Sequence, residues 1–282
     1  MSMKLTIIVM QLSQRQTRET SSAQRRSIQA FLAPFNQLAE TSEFVRACRY
    51  GEFILGGEQY SLPAFIFNGP GSNVNDPIRL GIFATLHGDE PEAALGLVSF
   101  LTELTRQPTL AAGYRLVVYP LCNPTGFEDG TRASRRGKDL NREFWRSSAE
   151  PEIILLEDEL WRHEFHGLIA LHSDDTSDGL YGFVQGPDLS KDLLRPALWA
   201  AEKVLPRNHR GIIDGFQADR GLIQHGYPGV LSAPPEFRPA PFDLTFETPQ
   251  GAPIDLQVAA YVAALTSILA EYRTLMATGQ NI

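Results

Sequence analysis

The stretch from Ile78 to Pro91 constrains the fold more than any other part of the chain. An apolar run rich in β-formers stops at His87, a tight Gly88-Asp89 turn follows, and Pro91 opens an amphipathic helical pattern at its first-turn position. The same change of period recurs along the chain. Strand patterns over 78–86, 114–121, 167–172 and near 242–248 alternate with helical patterns over 91–106, 150–164, near 189–204 and 254–275. Ahead of them, Ala47 to Phe67 reads as paired strands around Gly56-Gly57, and Ala23 to Leu38 has helical spacing interrupted by Pro34. Residues 123–140 read as one long polar loop. This alternation predicts an α/β single domain with a mixed, largely parallel sheet and helices on both faces. In such sheets the ligand site forms beyond the carboxyl ends of the strands, where His87, Asn123 and His172 all fall.

His87 and Glu90, spaced His-x-x-Glu, place an imidazole and a carboxylate where they can converge just past a strand end. On its own this pair is an ordinary polar turn. A third donor, His172, ends the apolar run Leu168-Ile169-Ala170-Leu171. Three protein ligands leave one position for water, which is the catalytic pattern of zinc ligation. His163 and His166 form a competing pair, but their spacing is one residue short of the His-Glu-x-x-His helix and no third ligand lies at a suitable site. A helix ending in solvent accounts for them, and surface roles account for His209 and His225.

Composition narrows the partners. The chain has 282 residues, 43% hydrophobic and 21% charged, enough for one sizeable core. A net charge of −8 argues against nucleic acid or an anionic membrane as the main partner. The apolar run from Leu5 to Met10 is too short to span a bilayer. Two cysteines, Cys48 and Cys122, demand no oxidising compartment, and Cys122 reads as a buried free thiol. A cytoplasmic protein is expected, with the polar residues 11–22 part of a mobile front segment over 1–22.

Against that acidic background, Arg132, Arg135, Arg136, Lys138, Arg142 and Arg146 crowd together. Most such runs are solvated basic loops; the alternative is that some of these groups bind an anion. Glu247 is the other anomaly, an acid flanked by Leu244 and Phe246 on a strand near the core, where a carboxylate needs a reason to be.

Four blocks taken together resemble the zinc carboxypeptidase family, over roughly residues 50 to 270. They are His87-Gly88-Asp89-Glu90, Asn123-Pro124-Thr125-Gly126, Arg132 followed by Asp139-Leu140-Asn141-Arg142, and Thr245-Phe246-Glu247. The small bacterial members, including those that trim cell-wall peptides, are closest in pattern. The resemblance implies a catalytic domain over 23–282 with one zinc ion per chain on His87, Glu90 and His172. It makes Glu247 the general base and Arg132 the group that polarises the scissile carbonyl. Asn141 and Arg142 then grip a free terminal carboxylate, and Asp139 holds a zinc-ligating histidine through its second ring nitrogen. Arginine suits the carboxylate because its planar fork donates two parallel hydrogen bonds. The family's mobile tyrosine has no convincing counterpart; Tyr227 lies in about the right stretch, and Tyr181 is a second candidate. Ser173-Asp174-Asp175 departs from the better-known members, which leaves open a role in selecting a substrate cation or in capping a loop.

The expected activity is hydrolysis of an amide bond next to a free carboxylate, most simply by a metallocarboxypeptidase acting on small or cell-wall-derived peptides. An N-acyl amino acid amidohydrolase of the desuccinylase and aspartoacylase branch is the alternative, using nearly the same residues. A non-catalytic binding protein on the same scaffold is a third.

Overall fold

The computed structural model describes residues 25–72, 76–185, 187–223, 227 and 229–279. The segment 1–22 expected to be mobile, and His225, lie outside the described residues.

The chain enters through α1 (Ile28–Thr41), where Ser27 accepts a hydrogen bond from Ala30 N and so caps the first turn. The helix runs on through Pro34 and buries Phe31 against Phe127 and Phe35 against Phe65. The expected hairpin follows as β1 (Val45–Leu55) and β2 (Glu58–Asn68). Its tip, Gly56-Gly57, has φ of 61° and 83°, the two left-handed positions that a tight hairpin turn needs and that glycine adopts without strain. Next come β3 (Ile78–Ala84), α2 (Glu92–Arg106) and β4 (Tyr114–Tyr119). The expected loop over 123–140 is in part helical, because Asn123 caps α3 (Pro124–Asp129) and Pro124 occupies its first turn. Then follow α4 (Pro151–His163), β5 (Gly167–Asp174), β6 (Tyr181–Val184) and α5 (Arg195–Ala201). Three short strands, β7 (Ile212–Ile213), β8 (Phe216–Asp219) and β9 (Leu222–Ile223), precede β10 (Phe242–Pro249) and the last helix, α6 (Ile254–Ala277).

The strands form one sheet in the order β1-β2-β4-β3-β5-β10-β6-β9-β8-β7. Its centre, β4-β3-β5-β10, is parallel, and the flanking pairs are antiparallel except β6 with β9. Strands covered on both faces must be apolar throughout, and β3 and β5 are buried over nearly their whole length. Each face has its own core. One packs α1, α2, α5 and α6 on the sheet around Phe65, Phe67, Phe100 and Phe246. The other packs α4 beneath Phe83, Tyr119, Phe144 and Leu156, with Phe83 and Tyr119 stacked at 4.5 Å.

By length and hydropathy α6 could cross a membrane, but here it is a core helix lying against α2 and α5, with Ala260, Tyr261, Ala264 and Leu265 buried. It is also fastened to the functional end of the sheet. The Tyr261 hydroxyl donates to the His172 carbonyl at 2.6 Å and lies 2.7 Å from Thr248 Oγ1, with no exposure to solvent. Tyr261→Phe keeps the ring and removes that donor from a buried carbonyl, at a cost of about 1–3 kcal/mol. A urea titration should show this as a lowered midpoint with an unchanged slope; an unaltered midpoint would contradict the tether.

Candidate metal centre and cleft

The geometry begins with a strained residue. Thr85, just past β3, has φ of 54°, a conformation that is rare for a β-branched side chain and costs roughly 1–3 kcal/mol. Its hydroxyl donates to Pro120 O at 3.0 Å, while Ala84 O and Thr85 O accept from Cys122 N and Asn123 N. The chain beyond β3 is thus sewn to the chain beyond β4 and turned so that His87 stands over the strand ends. Asn123 locks this arrangement. Its Oδ1 accepts from Gly126 N at 2.8 Å, and its Nδ2 donates to Leu86 O and Arg132 O, both at 3.3 Å. Gly88 passes so close to α3 that a Cβ there would lie 2.0 Å from the Gly126 carbonyl carbon. The Asn-Pro-x-Gly block is therefore scaffold rather than chemistry.

His87, Glu90 and His172 meet in a buried cluster, each no more than 3% exposed. His87 Nδ1 is 2.6 Å from Glu90 Oε1, His172 Nδ1 is 2.9 Å from Glu90 Oε2, and the two Nδ1 atoms are 3.2 Å apart. His87 Nε2 faces Asp139 Oδ1 at 3.1 Å, so that ring nitrogen carries the proton and Nδ1 presents a lone pair. Lone pairs and a carboxylate aimed at one point, away from water, fit a divalent cation. Two nitrogens on one tetrahedral ion at about 2.0 Å would stand about 3.3 Å apart, close to the spacing found.

Electrostatics favour the ligating form of Glu90 and His172 and, with no ion bound, hold a proton more tightly on His87. Burial pushes the Glu90 carboxyl up, but the two imidazoles outweigh it and hold it at about 2. Burial lowers His172, favouring the neutral ring, whereas in His87 burial is outweighed by Glu90 and Asp139, which raise it. Asp139 is held below the usual carboxylate range: burial opposes this, but the bond to His87 and the charges of His87 and Arg132 prevail.

The cluster opens onto a cleft of about 320 Å³. Glu247 lines it, half-buried, on β10 directly opposite His172 of β5 in the parallel register. Burial first, then the charges of Glu90 and Asp174, raise Glu247 well above the ordinary carboxylate value. Arg132 is also on the wall, with Nη1 at 3.4 Å from Glu90 Oε1 and Nε at 3.3 Å from Asp139 Oδ2. Arg142 stacks on the Tyr227 ring at 4.3 Å, and among the described residues no carboxylate pairs with it. Asn141 lines the cleft too: its Oδ1 accepts from Leu231 N at 2.9 Å, and its Nδ2 lies 3.4 Å from His172 Nε2.

Tyr227, for which the local sequence offers no convincing alignment, is thus brought to the cleft by the fold, its hydroxyl donating to Asp214 O at 2.7 Å. Tyr181 is there as well, its hydroxyl committed to Asp174 Oδ2 at 2.8 Å. The basic run divides sharply. Arg135 pairs with Asp129, Glu128 and Glu58 and ties α3 to β2, and Arg136 donates to Ala149 O. His163 lies 3.0 Å from Glu159, and His166 Nδ1 accepts from Arg79 N, so neither joins the cluster. Unlike Tyr181, the residues Thr85, Asp214, Phe183 of β6 and Phe216 of β8 were not singled out for the site by the sequence. The Asp214-Gly215 turn was the one available signal for the last of these.

Residues 77–197 match the family model described as the succinylglutamate desuccinylase/aspartoacylase catalytic domain. That span holds His87, Glu90, Arg132, Asp139, Asn141, Arg142 and His172 and stops short of Glu247. Among solved structures, a candidate metallopeptidase from Shewanella denitrificans is 24% identical with a TM-score of 0.70, covering 89% of this chain and 98% of its own. Another from Shewanella baltica is 26% identical with a TM-score of 0.69, over 86% and 92% of the two chains. A metallo-carboxypeptidase from Burkholderia cenocepacia is 17% identical with a TM-score of 0.68, over 89% and 70%. No curated protein matches the sequence.

The cluster should take up one divalent ion per chain. In a competition titration against a zinc chelator, His172→Ala should abolish stoichiometric uptake, and Asp139→Ala should weaken it by about 10- to 100-fold. Wild-type affinity in Asp139→Ala would remove that carboxylate from the support of His87.

Proposed function

We propose that this chain, which has a zinc carboxypeptidase-like fold, is a zinc-dependent hydrolase that cuts an amide bond next to a free carboxylate, as a metallocarboxypeptidase of small peptides. The observation that carries the reading is the pairing of a three-donor metal cluster with an unpaired guanidinium, Arg142, in the same cleft.

A bound divalent ion would supply Lewis-acid chemistry to the substrate carbonyl and to water. The residues of the chain do the rest. Arg142, flattened on Tyr227, receives the substrate carboxylate and fixes which amide bond faces the cluster. Arg132, beside Glu90, offers a donor to the oxygen that gains charge as the carbonyl is attacked. Glu247 takes a proton from the attacking water and returns it to the departing amine. Its raised affinity for protons in the isolated cleft suits the second half of that task. Asp139 keeps the His87 proton on Nε2.

The matched family model, whose span holds the cluster and Arg142 but not Glu247, favours a second reading, an N-acyl amino acid amidohydrolase. Assay of zinc-loaded protein against C-terminally varied dipeptides and against N-acetyl and N-succinyl amino acids separates the two.

Glu247→Gln should retain the metal and lose roughly 10²- to 10⁴-fold in kcat; near wild-type turnover would dismiss Glu247 as the base. Amidating the substrate carboxylate, or Arg142→Ala, should each lower kcat/KM by roughly 10²-fold, and the two together by far less than the product of the separate losses. Equal cleavage of free and amidated peptides would defeat the carboxypeptidase reading.

A further inference from the structure

Beside Glu247 the cleft continues into a recess whose walls follow from strand register. On β10, Thr245 and Glu247 are two residues apart and so point to one face. Their antiparallel partners on β6 are Phe183 and Tyr181, and Phe183 in turn pairs with Ile223 of β9. Phe216 of β8 completes the wall, set edge-on to Tyr227 at 4.6 Å. The recess thus starts at the proposed base and is lined by Tyr181, Phe183, Phe216, Ile223 and Thr245. These side chains form the wall of the cleft beyond Glu247.

Its rim is acidic. Asp174 and Asp175 come from the end of β5, and Asp214 from the turn between β7 and β8. Asp174 is held rigidly: Thr176 N and Thr176 Oγ1 donate to Oδ1, and Tyr181 donates to Oδ2. Asp175 and Asp214 are exposed, and no described residue forms an ion pair with any of the three. The cleft therefore has an unpaired cation, Arg142, on the side of the clamp and unpaired carboxylates at the mouth of an apolar slot.

We propose that the recess accepts a cationic side chain, so that the preferred substrate ends in a basic residue, with Asp214 and Asp174 as its specificity determinants. The inference rests on the carboxypeptidase reading of this cleft. The methylene stem of lysine or arginine lies along Phe183 and Phe216 while the charged head reaches the rim. Acidic side chains, such as that of an N-acylated glutamate, would meet like charge there. Asp214 also permits a clean test. It has φ of 52° and is followed by Gly215 at 82°, the hairpin turn in which asparagine is as suitable as aspartate, so Asp214→Asn changes charge and not backbone.

The experiment uses zinc-loaded full chain and benzoylglycyl peptides ending in arginine, lysine, norleucine or glutamate. A second arm measures binding of free arginine, norleucine and glutamate to Glu247→Gln by calorimetry. The expected result is a kcat/KM for arginine or lysine about tenfold or more above norleucine, with glutamate lowest. Asp214→Asn and Asp174→Asn should each shrink the arginine-to-norleucine ratio several-fold, mainly through KM. Equal cleavage of arginine and norleucine peptides, or a preference untouched by both variants, overturns the inference while the carboxypeptidase reading stands. Should only the N-acyl amino acids be hydrolysed, that reading falls, and the binding arm decides the recess. Arginine held more tightly than norleucine and glutamate supports it, and equal or reversed affinity overturns it.

Discussion

Three electron-pair donors held about 3 Å apart, out of contact with water, are what the architecture has to sustain. His87 Nδ1, Glu90 and His172 Nδ1 would repel or dissolve into ordinary hydrogen bonds if their supports could relax. Nearly every unusual feature nearby resists that relaxation. Thr85 accepts a strained backbone, Asn123 staples three segments at once, and Asp139 fixes the proton of His87. Tyr261 reaches across from the last helix to hold the carbonyl of His172. These contacts come from segments up to 89 residues apart in sequence, so the donor cluster and the fold are stabilised together.

The parallel centre of the sheet explains why the chemistry is gathered at one end. In β3, β4, β5 and β10 all carboxyl ends point the same way, and His87, Asn123, His172 and Glu247 lie at or just beyond those ends. The extension β6-β9-β8-β7, antiparallel except where β6 meets β9, then adds a wall beyond Glu247. It is made of strands of two to four residues, too short to stabilise anything alone, and it rests on β10 through the Glu247–Tyr181 and Thr245–Phe183 pairs. The rigid part of the cleft is thereby separated from the part that shapes the recess.

The charge pattern of the cleft would be hard to guess from net composition. An acidic chain places Arg142 against an aromatic ring with no carboxylate paired to it among the described residues, while Arg135 and Arg136 of the same run are consumed by structure. Arg135, a member of the same basic run, joins α3 to β2 through four polar partners. A charge run read without the fold cannot distinguish these two fates, because each depends on which carboxylates the loop happens to approach.

What the sequence determined by itself was whatever is encoded locally: the alternation of periods, the Gly56-Gly57 hairpin, the helix start after His87-Gly88-Asp89-Glu90, and the strand ends at which ligands could gather. The short block from Asp139 to Arg142 was legible for the same reason, since a few neighbouring residues supply both the support for His87 and an arginine on the cleft wall. The rest needed the tertiary structure. The placement of the helix over 124–129 against Leu86 and Arg132 depends on partners that Asn123 finds on two other segments, and β6 to β9 are too short to display a period of two. Tyr227 reached Arg142, and Phe183 and Phe216 came to share a wall with Glu247, through strand pairing that no short motif specifies. Local chemistry sets which residues can act; long-range register decides which of them meet.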